Sequence, residues 1–546
     1  MMDSRAKDIY DRQQQLEGDR AVWDAHWTEI AERVLPRQDE FTKKTVVEGR
    51  KNTEKIFDAT ALLALDKFAS AVDSLVTPAT QQYHKLDPED ESLMEDREVR
   101  LYLDEVNKII FRLRYRPMAN FSSQAHECYI SLGAFGTQGM FTDDILGVGL
   151  RYKSIALSEL YIAENQAGIV DYVHRKFPLT CRQAMQKFKD KCPEKVMKEY
   201  ERHPFKKFDF IHCVAPADEY KHGAQDYRAW PWRSTYIFPE TKEFISESGY
   251  RTFPYSVSRH VTAPRETYGR SPASMVLPDI KSLNEMEKTM LRAAHKIVDP
   301  PLLLFGDGIL SAFNARPNAL NYGGVDANGK QLVVPLQTGA HLPIGLEMAD
   351  QKRGVINSAF YVTLFQILVD NPQMTATEAL LRAQEKGQLL APTMGRQESE
   401  FLGTQIVREI DIASAAGLLP PMPKRLRDRG GRIKVVHTSP LSRLRRADDA
   451  VAISRTMEMI TPFAEHDPSI LDTFDGDALT REIADINGVP IKVLRTIEQV
   501  MAIREGRKAA EQTTAQADTL DVSARAAKNL AQAQQAAGFT MPATVQ

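Results

Sequence analysis

The sequence has few cysteines and no long apolar run. Its 4 cysteines are scattered over 546 residues without a C-x-x-C pair, which disfavours a disulfide scaffold and a zinc site. No segment approaches the roughly 18–20 consecutive apolar residues of a membrane-spanning helix. The first residues are polar and lack the apolar core of a signal peptide. We therefore expect a chain that folds in a reducing compartment and enters no membrane.

An excess of charge of one sign is also missing. The 70 lysines and arginines nearly balance the 73 aspartates and glutamates, so the formal net charge is −3. A protein that grips nucleic acid over its whole surface needs clustered cations to displace counterions from the phosphates. The charge balance excludes that class, although DNA can still pass close to such a chain. The length exceeds the roughly 250–300 residues of a single core, which indicates several domains or one elaborate assembly subunit.

The hydrophobic periodicity predicts an α+β chain that is predominantly helical. Apolar residues at helical spacing predict helices in the first third, one of them over about Arg97–Arg114. Short strands with glycine or polar turns predict a mixed β block from Gly133 to about Ser258, which a charged helix over Cys181–Arg202 interrupts. In the second half, long helices are predicted over about Ser274–Val298 and Glu347–Val369. They bracket an irregular insert, and Asn371-Pro372 ends the second of them. A kinked helical stretch follows.

Gly324 to Lys330 matches the G-x-x-x-x-G-K core of a phosphate-binding loop. The context disagrees, because Gln331 follows where a serine or threonine would bind magnesium, and the next residues indicate a strand and not a helix. Asn328-Gly329 between short apolar runs is instead typical of a β-hairpin turn. We interpret the segment as a hairpin.

The remaining chemical candidates have ordinary structural explanations. The carboxylate pairs Asp143-Asp144 and Asp448-Asp449 are expected on the solvated surface. His212-Cys213 lacks an oxyanion-type glycine motif, so a buried structural cysteine is expected there. The cations between Lys424 and Arg446 could contact phosphate, and ion pairing between subunits explains them equally well. The residues therefore predict neither an enzyme nor a cofactor or metal site.

The order of elements resembles the head-to-tail connecting (portal) protein family of short-tailed double-stranded DNA bacteriophages. A helix, an insert, a returning helix, a loop and a kinked helix follow one another as in the portal stem, clip, stem and tunnel loop. Local motifs that share this resemblance are Tyr268 to Pro272, Leu277 to Asn284, Pro300-Pro301-Leu302, Met374 to Ala379, Arg382, Glu385, Leu390-Ala391-Pro392, Arg396, Glu400, Ala59 to Leu75 with Pro78, and Gly133 to Gly139. The resemblance covers roughly residues 10–460.

The resemblance implies a portal fold with regions in a fixed order. These are a wing of helices and a mixed β block over 1–255, a lead-in and first stem helix over 256–298, a clip insert over 299–345, a second stem helix over 346–370, a tunnel loop over 371–376, a kinked wing helix and returning strand over 377–436, a helical crown over 437–508, and a tail over 509–546 that is a barrel helix or disordered.

The resemblance also implies a function and its partners. Such proteins form a ring, typically of twelve subunits, at one vertex of a capsid assembled in the host bacterial cytoplasm. Double-stranded DNA passes through the channel, ATP hydrolysis belongs to a separate terminase, and the ring docks the major capsid, scaffold and tail adaptor proteins. The site residues it implies are the tunnel-loop residues Asp370, Asn371, Pro372, Gln373, Met374 and Thr375, and the stem-packing residues Ile280, Leu283, Met290, Ile297, Ile356 and Phe360.

Two alternatives from other classes stay open at this point. A nucleotide-driven DNA-translocating motor would need a working phosphate-binding loop, and Gln331 argues against one. A helical scaffold or adaptor protein without DNA traffic would need no channel. A ring with an axial hole distinguishes the portal from both.

Overall fold

A computed structural model of the chain describes most of its length. The described residues are 4–42, 49, 52–94, 96–145, 149–217, 226–304, 320, 325, 327–336, 342–366, 390, 393–439, 452–453, 455–463, 473–486, 493, 495 and 497–536. Within them the chain is α+β and predominantly helical, which confirms the predicted class. No described helix is both long and apolar enough to cross a membrane.

The elements alternate between helical and β regions along the chain. The helices are α1 Ser4–Val34, α2 Thr60–Val76, α3 Arg97–Arg114, α4 Phe121–Phe135, α5 Cys181–Phe188, α6 Glu194–Tyr200, α7 Pro272–Met275, α8 Leu277–Val298, α9 Leu342–Ala359, α10 Val362–Gln366, a π-helix Gln397–Gly403, α11 Thr404–Ala415, α12 Lys424–Asp428, α13 Gly476–Ile486 and α14 Ile497–Ala536. The strands are β1 His84–Pro88, β2 Thr137–Ile145, β3 Gly149–Ile155, β4 Leu160–Glu164, β5 Val170–Thr180, β6 Lys207–Pro216, β7 Trp232–Phe238, β8 Glu243–Tyr250, β9 Tyr255–Arg259, β10 Leu302–Leu304, β11 Val333–Pro335 and β12 Ile433–His437.

The described strands pair in antiparallel sheets. The predicted β block forms a five-stranded sheet in the order β4-β5-β6-β7-β8 and a three-stranded sheet in the order β3-β2-β9. Strand β1 pairs with β12 across most of the chain, with His84 opposite His437 and Pro88 opposite Ile433. This last pairing ties the first helical region to the segment that follows α12.

Helices α5 and α6 cover one face of the five-stranded sheet. Thr180 starts α5 with a capping box, in which its hydroxyl accepts from the Gln183 amide and the Gln183 side chain accepts from the Thr180 amide. The apolar side of these helices packs on the alternate residues of the strands, which are mostly aromatic. The cluster contains Phe177, Cys181, Ala184, Phe188, Cys192, Val196, Phe208, Phe210, Tyr236, Phe238 and Ile245.

The larger core requires close approach between backbones at two glycines. A Cβ on Gly136, which ends α4 with φ +79°, would lie 2.5 Å from the Gly269 carbonyl oxygen. A Cβ on Gly269 would lie 2.2 Å from the Gly136 carbonyl oxygen, so neither position accepts a side chain. Next to them, the Tyr268 ring packs edge-on to Trp27 of α1 at 5.1 Å between centroids. These contacts give the Gly133–Gly139 and Tyr268–Pro272 motifs a packing role.

A buried ion pair joins α3 to α11. The side chains of Arg114 and Glu409 are both fully buried, and Arg114 Nε donates to Glu409 Oε1 over 3.0 Å. The hydroxyl of Tyr152 also donates to that carboxylate at 2.7 Å, while the guanidinium donates to the Tyr83 hydroxyl at 2.6 Å. Removing one partner of such a pair typically costs about 3–5 kcal/mol, because the other charge stays buried.

Several boundaries differ from the prediction for identifiable reasons. The charged helix expected over 181–202 is divided into α5 and α6, because Lys189 takes a left-handed conformation and Pro193 follows. Strand β8 was not predicted, since its pairing with β7 is a tertiary contact that its own sequence does not signal. The tail, expected to be a barrel helix or disordered, is helical as far as Ala536.

Four of the described histidines are buried where their charged form is disfavoured. Burial lowers the pKa of His174 to about 3 and that of His260 to about 4, against an ordinary value of 6.5. Burial also lowers the pKa of His84 and His212 well below that value. A histidine of this kind takes up a proton in the unfolded chain at a pH where the folded chain excludes it. Its contribution to stability is therefore complete above about pH 6.5 and is lost as the pH falls.

This linkage is tested by His174→Gln, because glutamine can keep hydrogen bonds to Gln13 and Tyr172. The free energy of unfolding of the parent should fall as the pH drops from 6.5 towards 4. Near pH 5 the variant should lack about 1.4 kcal/mol per pH unit of that slope, which is one proton. The measurement is urea unfolding at several pH values, with the exposed His203→Gln as control. Equal slopes for His174→Gln and the parent would contradict the prediction.

Candidate functional site

The two long helices of the second half pack as an antiparallel hairpin. Near the start of α8, Asn284 Oδ1 accepts from the amides of Phe57 and Asp58 at 2.8 and 3.2 Å, and its Nδ2 donates to the Ile280 carbonyl. Further along, Gly345 of α9 lies so close to Met290 that a Cβ would stand 2.9 Å from the sulfur. The hairpin is thereby fixed to the loop that precedes α2.

Ion pairs hold the same end of the hairpin. Arg353 of α9 lies 2.9 Å from the carboxylate of Asp58 and also pairs with Glu287 of α8. Lys352 lies 2.5 Å from Asp279 of α8. The hydrogen bond from Thr60 together with Arg353 outweighs burial and lowers the pKa of Asp58. One end of the hairpin is therefore anchored by a polar network.

The residues predicted to pack the stem divide into two groups. Within the single chain Ile280, Leu283, Ile356 and Phe360 are at most 1% exposed and belong to the core of the subunit. Met290 is partly buried against that core, and Ile297 remains 48% exposed. The predicted stripe therefore leaves the core towards the far end of α8, where its contacts in an assembly remain a prediction.

An apolar ribbon joins the two helices at their far end. Strands β10 and β11 pair with Leu302 opposite Pro335 and Leu304 opposite Val333, and their residues do not alternate between apolar and polar. A two-stranded ribbon is at most marginally stable by itself in water. Large apolar side chains stay more than a third exposed here, namely Leu291, Ile297, Val298, Leu302, Leu303, Val334, Leu336, Ile344, Leu346 and Met348. We call these ten residues the apolar end of the hairpin.

The returning helix begins and ends differently from its predicted range of about 346–370. Helix α9 starts at Leu342 and stops at Ala359, because Tyr361 has φ +57°, and the short α10 follows. Phe68 of α2 and His260 pack on Tyr361 with ring centroids 6.4 Å away in each case. The predicted tunnel-loop residues Asp370 to Thr375 lie outside the described residues.

Further along the chain, polar residues of the π-helix form hydrogen bonds with strand β9. Gln397 Nε2 donates to the Arg259 carbonyl, while its Oε1 accepts from the Ser258 hydroxyl at 2.6 Å. Glu400 accepts from the Arg259 amide at 3.0 Å and from its guanidinium at 2.9 Å. A π-turn is rare and often marks a functional segment of a helix. No local sequence signal predicted it.

The Gly324–Lys330 segment has the geometry of a turn where it is described. Val325 and Gln331 form an antiparallel bridge, and Gly329 has φ +80° in the turn between them. Strand β11 follows at Val333, in the position where a phosphate-binding loop would start a helix. These residues therefore support the hairpin interpretation.

The histidine and cysteine candidates are enclosed. His212 lies between the Tyr255 hydroxyl at 2.7 Å and the Ser234 hydroxyl at 2.9 Å, and all three residues are at most 2% exposed. Burial raises the pKa of Cys213 and of Cys128 to about 12 in each case, so both are thiols at neutral pH. A nucleophile needs a thiolate that a substrate can reach, and these residues offer neither.

The described part of the basic segment pairs within its own chain. Arg425 lies 2.7 Å from Asp96, Arg429 lies 3.6 Å from Asp90, and Arg432 lies 3.7 Å from Glu89. The acidic stretch after β1 is therefore the partner of the basic turn around α12. These arginines are at least 65% exposed, so solvent screens each pair and its contribution to stability is small.

The hairpin, its insert and the following helical segment occur in a chain that matches a known family along most of its length. The sequence model described as bacteriophage head to tail connecting protein matches residues 6–494. The chain belongs to this family. Its membership confirms the resemblance that the order of elements and the local motifs had indicated.

Two head to tail connecting relatives extend the comparison. The probable portal protein of Bordetella phage BPP-1 is 29% identical over 524 residues, which cover 94% of this chain and 93% of the relative. The portal protein of Salmonella phage epsilon15 is 25% identical over 528 residues, covering 95% and 94%. A solved structure titled as the neck of an empty GTA particle shares 10% identity over 75% of this chain and 91% of its own, with a TM-score of 0.36, from which we conclude nothing.

The turn geometry predicts that Lys330 has no role in nucleotide chemistry. Purified head to tail connecting protein should show no ATP hydrolysis, and Lys330→Ala should package DNA at the parental rate. The measurements are phosphate release and packaging in an infection complemented by the variant, with the exposed Lys7→Ala on α1 as a control. Specific ATP turnover that is lost in Lys330→Ala would contradict the interpretation.

Proposed function

We propose that this chain is the portal subunit of a short-tailed phage. It forms a ring at one capsid vertex, provides the channel for DNA packaging and ejection, and docks the terminase and the tail proteins. Family membership along nearly the whole chain supports the connector role, and two relatives of similar length carry the name portal protein. The exposed apolar end of the hairpin is the structural observation that supports ring formation.

The described residues of a single subunit leave this apolar end uncovered. Exposed apolar side chains scattered singly are normal, but a concentration on one element marks an interaction surface. The other end of the same hairpin is closed by Asn284, Lys352 and Arg353, so the exposure is local to the far end. Neighbouring copies that pack there would bury the ribbon β10–β11 and complete it. A heterologous contact of this kind closes into a ring when its rotation divides a full turn.

The regions of the portal fold are assigned to elements as part of this proposal. The wing contains α1 to α6 and the five-stranded and three-stranded sheets, and the stem consists of α8 and α9. The ribbon β10–β11 lies in the clip, and the tunnel loop falls between α10 and the π-helix. The π-helix, α11 and β12 return to the wing, and α13 lies in the crown.

Helix α14 is assigned to a barrel above the crown. Its 40 residues correspond to a length of about 60 Å. Arg504 pairs with Asp477 of α13 through two contacts of 2.7 Å, which attaches the start of α14 to the preceding helix. Leu520, Val522 and Leu530 further along are all more than 60% exposed. A helix of this length gains most of its stability from packing, which neighbouring copies would supply.

A conduit for DNA should not bind it tightly. Each cation that contacts a phosphate raises affinity and makes it more dependent on salt, so a strongly basic channel would retain the duplex. The net charge of −3 and the intramolecular pairing of the basic turn suit a passive channel. In the proposed division of labour the terminase supplies the energy.

Ring formation is tested by introducing charged residues at the apolar end of the hairpin. Ile297→Asp with Val298→Asp should leave the subunit folded, because these residues are 48% and 85% exposed in the single chain. The variant should stay monomeric, since an unpaired carboxylate in an apolar seam costs more than the roughly 2–7 kcal/mol of an unpaired amide or hydroxyl. Native mass spectrometry and negative-stain imaging measure the assembly, and circular dichroism measures folding.

Val22→Asp on α1 is the matched control, because Val22 is 81% exposed and lies far from the hairpin in sequence. The control should form rings with an axial hole, as the parent does. A parent that gives only monomers or filaments would contradict the proposed function. If the Ile297 and Val298 variant formed normal rings, the apolar end would not be part of the contact between subunits.

The tunnel loop is tested by deletion of Gln373-Met374. We expect Pro372 to end the preceding helix and Thr375 or Thr377 to cap the next one, so that a short loop projects from the channel wall. Rings of the deletion variant should assemble, but retention or passage of packaged DNA should fail. Encapsidated DNA and ejection in vitro are the measurements. Packaging and ejection at the parental level would contradict this role.

A further inference from the structure

The lobe on the five-stranded sheet differs in charge from the rest of the chain. We call α5, α6 and the following residues up to Lys207 the outer lobe. Residues 181–207 include 9 lysines and arginines and 4 aspartates and glutamates, whereas the whole chain has a net charge of −3. A local excess of this kind is usually only a solvated face, so a docking site needs further support. The loop after α6 supplies it.

The loop over residues 201–206 is held rigidly against the start of α5. The Lys206 carbonyl accepts from the Cys181 amide and the Pro204 carbonyl accepts from the Arg182 amide, both at 2.9 Å. Within the loop, the Lys206 amide donates to the His203 carbonyl at 3.1 Å. Behind it, Cys181 and Phe208 are buried in the aromatic core of the lobe. The backbone is therefore fixed before any partner arrives.

This rigid loop presents an aromatic side chain to solvent. Phe205 is 70% exposed, and Tyr200 at the end of α6 is 40% exposed. Phe205 contributes little to the core at that exposure, although its neighbour Phe208 is buried. An aromatic residue on a preorganised loop loses little entropy on binding, and such residues dominate the energy of protein interfaces.

Charged residues around Phe205 indicate the chemistry of its partner. Arg202, Lys206 and Lys207 are exposed on both sides of it in sequence, which favours an acidic surface. Carboxylates lie among these cations, since Lys206 Nζ pairs with Glu199 at 2.9 Å and Glu201 is exposed. A duplex presents an unbroken row of phosphates and no pocket for a phenyl ring on its backbone. An apolar anchor within a mixed, mainly basic rim fits a protein.

We propose that the outer lobe docks an acidic protein surface that has an apolar pocket for Phe205. The proposal rests on the portal function, because it places one of the protein partners of the ring on a defined loop. The cations supply attraction and orientation, and the phenyl ring supplies the buried contact. The proposed occupant is a protein of another sequence, and a contact with a second copy of this chain is an outcome of the test that overturns the proposal.

Two variants test the two parts of this surface. Phe205→Ala removes the anchor, and Arg202→Glu reverses a rim charge. Ile169→Ala is the control, since Ile169 is 63% exposed on a tight turn before β5. The probes are the purified coat and scaffold proteins of the same phage and a 30-base-pair DNA duplex, each titrated into parent and variant rings at several salt concentrations. The expected result is binding of one of the two proteins that weakens about tenfold or more in both variants and is unchanged in the control.

The outcomes separate this proposal from the portal function. The docking site is refuted if both variants bind the protein as tightly as the parent does, or if neither protein binds to parent rings. Neither result contradicts ring formation. Loss of duplex binding in place of protein binding identifies a nucleic-acid face and also overturns the docking site. Loss of rings in Phe205→Ala assigns the lobe to the subunit interface, which overturns it as well. A parent that forms no ring refutes the portal function itself.

Discussion

The buried pairing of Arg114 with Glu409 is the interaction on which the packing of the described core depends. It joins α3, which follows the first helical region, to α11, which follows the hairpin, although 294 positions separate them in the chain. Tyr83, which directly precedes β1, and Tyr152 of β3 complete the hydrogen bonds, so four parts of the chain meet at one buried charge pair. A buried pair of this kind stabilises less than an apolar core, but removal of one partner leaves the other charge buried, so both are needed to hold the two elements together. The hairpin is therefore connected to a core in which the ion pair holds α3 and α11 together.

In contrast to this buried core, two described elements, the hairpin and α14, expose apolar side chains in the single chain. The hairpin is polar and closed where Arg353 meets Asp58, and apolar and open at Ile297 and Val298. The described part of α14 repeats this contrast, with Arg504 paired at its start and Leu520 exposed beyond it. In both elements the attachment to the subunit is electrostatic and local, while the exposed part offers area for other copies.

Local sequence signals recovered the elements that depend on short-range contacts. Helix α3 was predicted at its observed bounds, since Asp96 caps it by accepting from the Glu98 and Val99 amides and its apolar stripe is regular. Strand β1 was missed because its partner β12 lies some 350 residues away and its sequence, His84 to Pro88, carries no alternation that identifies a strand. The stem stripe was predicted as one surface, yet Leu283 lies in the subunit core and Ile297 on the outside, a distinction that only packing decides. The role of Asn284 as acceptor for two amides was equally invisible, because the loop it holds is distant in sequence.

The pairing of β1 with β12 determines how the chain responds to force. Ile433–His437 is the last described strand before the C-terminal helices, and its far end lies opposite His84. A load applied to those helices along the chain therefore reaches the bonds of Ser439 and Thr438 first and then the His84–His437 end of the ribbon. The ribbon opens from that end one hydrogen-bonded pair at a time, and the Glu398–Ser439 contact beside it shares the load. The hairpin helices precede this junction in the chain, so tension on the C-terminal side can be absorbed before it pulls on them.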